Sequence, residues 1–156
     1  MSSLFHFPTE YGRLGNWPGS IGSAQAQAIL MEALSKKPNA RMVELGFDGG
    51  RTTIVMSWAM RELREAKLDV VGISGDEGTL WMRRALILFK MDAGRVAMHQ
   101  TLEPFPAELI VVNRGMVFPD DWVKIAPVGA SILHLGATSG AIFARALTLR
   151  DRRRRG

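Results

Sequence analysis

The sequence predicts a single α/β domain built on a mostly parallel five-stranded sheet, and three observations predict it. Short apolar runs rich in Val, Ile and Leu alternate with longer stretches whose apolar residues recur at helical spacing. The connections between the runs read as crossovers, long enough to return parallel strands to one sheet, rather than as hairpins. The 156 residues match the common size of one domain, and 47% hydrophobic content is enough to fill a core on both faces of a sheet.

Each element follows in order. Residues 1–19 hold glycine, proline and aromatic side chains without periodicity and are expected to form an irregular arm over the domain. Ser23 offers a cap for a helix from Ala24 to about Lys36, in which Ala26, Ile29, Leu30, Ala33 and Leu34 share a face and which Pro38-Asn39 closes. Arg41 to Gly46 reads as a buried strand entering a glycine turn, and Arg51 to Ala66 as the helix that follows it. Leu68 to Ile73 is a second strand. Glu77 to Met91 is a third helix, with apolar positions Leu80, Trp81, Leu86, Ile87 and Leu88. Arg95 to Met98, Leu109 to Val112 and Ala130 to Leu135 complete the strands, with a short helix near Asp120 to Ile125. For Ser139 to Arg150 the spacing of Ile142, Ala146 and Leu149 favours a helix, a strand over Ala141 to Leu149 being the alternative. The domain is thus set at residues 20–149, followed by an arginine-rich tail at 150–156.

Composition narrows the chemistry. There is no cysteine, which excludes disulfides, thiolate metal sites and a cysteine nucleophile, and which suits a reducing, cytoplasmic setting. The arm lacks the unbroken apolar core of a signal peptide, and no apolar run reaches the length of a membrane span, so no membrane association is expected. The net charge of +5 is concentrated in Arg150, Arg152, Arg153, Arg154 and Arg155, and the remaining chain is close to neutral. Such a tail is either a solvated end or a contact for an anionic partner such as nucleic acid.

Open parallel sheets take their ligands at the carboxyl ends of the strands, which directs attention to Gly46-Phe47-Asp48-Gly49-Gly50. A dinucleotide fingerprint needs G-x-G-x-x-G, but Asp48 and Arg51 occupy the second and third glycine positions. A triphosphate loop needs G-x-x-x-x-G-K-[ST], and no lysine lies between Lys37 and Lys67. A carboxylate beside the turn repels phosphate, so phosphate cradling is disfavoured.

The segment Val43-Glu44-Leu45-Gly46-Phe47-Asp48-Gly49-Gly50-Arg51-Thr52 resembles the first motif of class I S-adenosylmethionine-dependent methyltransferases, particularly their small, catechol O-methyltransferase-like branch. The stretch Ser20 to Ala26 is similar to the approach to that motif, and the resemblance covers roughly residues 18–136. It implies a Rossmann-like three-layer sandwich with S-adenosylmethionine as cofactor and an unidentified methyl acceptor. It also implies that Glu44 or Asp48 meets the cofactor's amino group, that Gly46, Phe47, Gly49 and Gly50 line the nucleoside, and that Thr52 bonds the carboxylate or caps the helix.

Several positions depart from the pattern. Relatives place an acid after the second strand to hold the ribose, where this chain has Ser74, with Asp76 two residues later as a ribose contact or a helix cap. Gln100 or Thr101 corresponds to the adenine contact, a plain loop role being the alternative. The fourth strand ends in Asn113 and Arg114 where metal-dependent relatives have an aspartate, so no metal is expected. His6, His99 and His134 show no ligand spacing; only His134, near a strand end, is placed to face an acceptor. Few residues follow the fifth strand, so the resemblance implies a sheet lacking the usual C-terminal antiparallel pair, and an acceptor side completed by the arm or by a second subunit in a homo-oligomer. The alternative is a methyltransferase-like structural or interaction subunit without catalysis, or a nucleic-acid accessory protein using its tail.

Overall fold

The computed structural model describes residue 19, residues 21–135 and the backbone of residues 142–146. The arginine tail and most of the N-terminal arm lie outside the described residues. In chain order the elements are α1 (Ser23–Leu34), β1 (Arg41–Leu45), α2 (Arg51–Ala59), β2 (Lys67–Val71), α3 (Gly75–Leu88), a short 3₁₀ turn (Ala93–Arg95), β3 (Val96–His99), β4 (Leu109–Val112), α4 (Asp120–Ile125), β5 (Ser131–Leu135) and β6 (Ile142–Ala146).

The sheet runs β3-β2-β1-β4-β5-β6. The first five strands are parallel, as expected, with Glu44 paired laterally to Val70 on β2 and to Val111 on β4. A sixth strand runs antiparallel to β5, pairing Ile142 with Leu135 and Ala146 with Ser131. Over Ile142–Ala146 the favoured helix is therefore wrong and the alternative strand is what forms. A free edge on β5 offers unpaired backbone groups, and pairing satisfies them where a local spacing of three apolar residues could not.

Alternate residues of each strand face opposite layers. Met42, Leu68, Val70, Leu109 and Val111 pack beneath α1, α2 and α3 in the larger core, while Val43, Leu45, Ile110, Val112 and Ile132 pack with Trp122, Val123 and Ala107 in a smaller one. Each such fully buried aliphatic side chain contributes roughly 1.5–3 kcal/mol. No helix occupies the β3-to-β4 connection, so α4 and the loop through Phe105 clad the second face.

The helices differ from expectation in instructive ways. Gly22, not Ser23, is the N-cap of α1, and its N–H donates to Gln25 Oε1 at 3.1 Å. Helix α2 stops at Ala59 rather than Ala66; the stretch that follows runs in turns, with the Arg95 guanidinium donating to the carbonyls of Met60 at 2.7 Å and Leu63 at 2.8 Å. In α3 the inward residues are Met82, Ala85 and Leu86, whereas Leu80, Trp81, Ile87 and Leu88 are exposed. The true inward stripe starts at Gly78, where a side chain would meet Ile73 Cγ2 at 2.9 Å, so the glycine sets the close approach that decides which face packs. No helix among the described residues is long and apolar enough to cross a membrane.

Candidate functional site

Strand order reverses between β1 and β4. The chain leaves β1 to lay β2 and β3 on one side and returns to place β4 on the other. The connections diverge above the carboxyl ends of β1 and β4, where open α/β sheets hold their ligands.

The turn after β1 is built on glycine geometry. Gly46, Gly49 and Gly50 have φ of 84°, 73° and 115°, values that L side chains rarely adopt. At Gly46 an added Cβ would lie 2.6 Å from Met116 Cγ, so β4's following loop closes directly over the turn. Gly72, after β2, approaches less closely on the other side, its missing Cβ facing Phe47 N at 3.3 Å. Residues 46–49 are half-exposed, while Gly50 is buried and forms the N-cap of α2. Trp81, on the first half of α3, donates its indole N–H to the Gly49 carbonyl at 3.1 Å and leaves its ring 42% exposed beside the turn.

Beneath the turn lies a buried polar cluster. Glu44 is wholly inaccessible. Its Oε1 accepts from the Thr53 hydroxyl at 2.6 Å and its Oε2 from Asn113 Nδ2 at 2.8 Å. Asn113 Nδ2 also donates to the Gly46 carbonyl, and Asn113 Oδ1 accepts from the Thr52 hydroxyl at 3.0 Å. One amide side chain thus fastens the turn, the first turn of α2 and the end of β4. Burial among neutral donors pushes the Glu44 carboxyl up to about 7; the Thr53 and Asn113 hydrogen bonds hold it down and the nearby Asp48 adds to the rise.

Every residue expected at the site falls on the carboxyl edge of the sheet. Glu44, Gly46, Gly49, Gly50, Thr52 and Asn113 are brought together with Phe47 and Asp48. Glu44 lies below the surface of the turn, however, with both oxygens engaged, so Asp48 is the acid of the two on the exposed side. Thr52 points inward to Asn113, which leaves the capping of α2 to Gly50. Ser74 is the exposed N-cap of α3, and Asp76 lies within that helix's first turn rather than at its cap. Gln100 and Thr101 follow β3 as exposed loop residues.

Sequence reasoning missed Thr53, Gly72, Trp81 and Met116. A buried acid needs donors, and the tandem Thr52-Thr53 at a helix start supplied the only local signal for its partner. The histidines have structural company: His99 Nε2 lies 2.8 Å from Asp69 Oδ1, and His134 Nε2 lies 3.2 Å from the Met116 carbonyl with its ring against Phe118. His6 is outside the described residues. Among the described residues no group of three or more His, Asp or Glu is arranged to hold a metal ion.

No family model matches the sequence. No curated protein matches it either. Solved structures do. The O-methyltransferase TomG from Streptomyces achromogenes, involved in tomaymycin synthesis and crystallised with S-adenosylmethionine, is similar at a TM-score of 0.56 and 14% identity, over 86% of this chain and 65% of that one. TrmN from Thermus thermophilus is similar at 0.54 and 16%, over 71% and 37%. A geranyl diphosphate methyltransferase in complex with S-adenosylmethionine is similar at 0.54 and 18%, over 72% and 48%. The chain therefore spans less than two thirds of the length of each of these structures. At such identities the likeness is one of architecture, and the conclusion is that this chain has the Rossmann-like fold of these structures, two of which are methyltransferases solved with S-adenosylmethionine.

Proposed function

We propose that the chain binds S-adenosylmethionine over the Gly46–Gly50 turn and transfers its methyl group to an oxygen or nitrogen nucleophile. The observation that carries this reading is the left-handed glycine turn at the point of strand reversal, set ahead of the α2 N-terminus and above a buried acid. The two methyltransferases of like fold that hold S-adenosylmethionine support it. The finer resemblance, to the catechol O-methyltransferase-like branch, rests on Val43 to Thr52 and the approach to it from Ser20 to Ala26.

In this reading Gly46, Gly49 and Gly50 let backbone approach the ligand, Asp48 receives its ammonium group, and the N-terminus of α2 faces its carboxylate. Gly72 leaves room beside Phe47, and Ser74, Asp76, Gln100 and Thr101 are the nearest polar side chains along the strand ends for the ribose and adenine. When bound, the sulfonium supplies a methyl group already attached to a good leaving group, so the protein's task is alignment and exclusion of water. Calorimetric titration with S-adenosylmethionine and its demethylated product tests the binding: heat of binding that disappears in Gly46→Arg is expected, and silence at millimolar ligand removes the reading.

A second reading, a methyltransferase-like subunit without catalysis, is favoured by one observation: an exposed Ser74 caps α3 where an acid would grip the ribose. Release of labelled methyl groups to any acceptor in a cell extract, lost in Asp48→Ala, decides against it. A second subunit in a homo-oligomer is the way this reading completes the acceptor side; a nucleic-acid contact through the arginine tail at 150–156 belongs to the separate reading of an accessory protein.

A further inference from the structure

Two observations about Glu44 have no place in a simple binding site. It is sealed under the turn, with Val70 and Val111 beside it on the flanking strands, and both its partners, Thr53 and Asn113, are neutral. No ion pair reaches it among the described residues. Of the charged groups near it, Asp48 on the turn is of like sign. Arg51, which opens α2, directs its guanidinium to the Ile21 carbonyl at 2.7 Å, and Arg114, which follows Asn113, is exposed. From α1, Glu32 is engaged with Lys36 and Ser131 at the far end of the sheet. The acids and arginines of α3, Asp76, Glu77, Arg83 and Arg84, are exposed.

We infer that Glu44 carries a proton when the turn is empty and gives it up to solvent when a cationic nucleoside settles above it, becoming the buried counter-charge that distinguishes a sulfonium ligand from its neutral thioether product. The inference rests on the binding proposed above. Its physical basis is the Asn113 clamp: the same Nδ2 holds Glu44 Oε2 and the Gly46 carbonyl, so the carboxyl stands one side chain below the ligand's seat, where the low dielectric of a dry interior leaves a new positive charge poorly screened. The balance is simple. A neutral carboxylic acid, its Oε1–H donating to the Thr53 hydroxyl while Oε2 accepts from Asn113, loses that proton to the buffer and becomes a carboxylate that accepts from both. By linkage, whatever favours ionised Glu44 favours the cation equally.

Titration calorimetry of the full chain, in two buffers of different ionisation enthalpy, reads the proton directly. With S-adenosylmethionine at about pH 6, release approaching one proton is expected, shrinking toward none near pH 8.5, and the dissociation constant should fall by up to about tenfold per pH unit across the lower part of that range. S-adenosylhomocysteine, lacking the sulfonium, should release a smaller fraction. In Glu44→Gln, whose amide mimics the protonated acid, the release and its pH slope should vanish, leaving only the ligand's own titration. Carboxyl ¹³C NMR on the unmodified protein gives the same answer without a variant: the Glu44 resonance should move from its protonated to its ionised position on saturation. Binding without proton release, or release undiminished in Glu44→Gln, overturns this inference and leaves the binding proposal standing; absence of binding overturns both.

Discussion

Glu44 makes stability depend on pH in a direction opposite to that of a salt-bridged acid. Its carboxyl is raised from 4.5 in the open chain to about 7 in the fold. Between those values the folded state holds the proton that the unfolded state has lost, so stability is full below about 4.5 and declines as pH rises through about 7, by about 3 kcal/mol in all. Urea denaturation at a series of pH values should show that decline in the native sequence and a flatter profile in Glu44→Gln. Gly46 is the other residue whose identity is dictated by geometry. Gly46→Ala places a Cβ against Met116 at a φ of 84° and should cost about 1–3 kcal/mol, read as a lower Tm, with ligand affinity reduced more than stability alone explains. The glycine was legible in the sequence because a strand-to-helix turn asks for it; the burial of Glu44 was not, because an acid two residues before the turn looks the same whether it faces ligand or core.

Between elements, Asn113 is the joint. It binds β1, the turn and α2 to the end of β4, and Asn113→Ala would leave Glu44 Oε2, the Gly46 carbonyl and the Thr52 hydroxyl without their partner. Each unsatisfied buried group costs about 1–3 kcal/mol, so a loss of several kcal/mol is expected in chemical denaturation, whereas Thr52→Ser keeps its hydroxyl and should be near neutral. Trp81 reports on the same region from α3. Its ring stands beside the turn, so its fluorescence should change on ligand binding, and Trp81→Phe should abolish that change while loosening the Gly49 carbonyl. This element also shows where pattern reading fails. Of the expected apolar positions Leu80, Trp81, Leu86, Ile87 and Leu88, only Leu86 is buried, and it packs inward with Met82 and Ala85 on the side where Gly78 approaches Ile73. After α2 the open carbonyls of Met60 and Leu63 are taken by Arg95, more than thirty residues later, a partner that no local window contains.

Over the whole molecule, the parallel order of the first five strands was readable because strand and helix patterns alternate along the chain, which leaves connections long enough to return each strand in the same direction. The edge strand Ile142–Ala146 was not, since what fixes it is the vacancy beside β5 and not its own spacing. The charge of the chain, gathered in five arginines near its end, makes one prediction at this scale: any RNA or DNA binding should weaken steeply with salt and disappear when residues 152–156 are deleted, measured by fluorescence anisotropy. The reversal of strand order has its own consequence. The partners that close the clamp, Thr52 with Asn113 and Glu44 with Asn113, stand 61 and 69 positions apart. Two crossovers must be laid down on one flank before β4 can slot in on the other, so this pocket matures late in folding. A nascent chain that ends before residue 109 already has every glycine of the turn and still lacks the amide that ties it to Glu44 and Thr52.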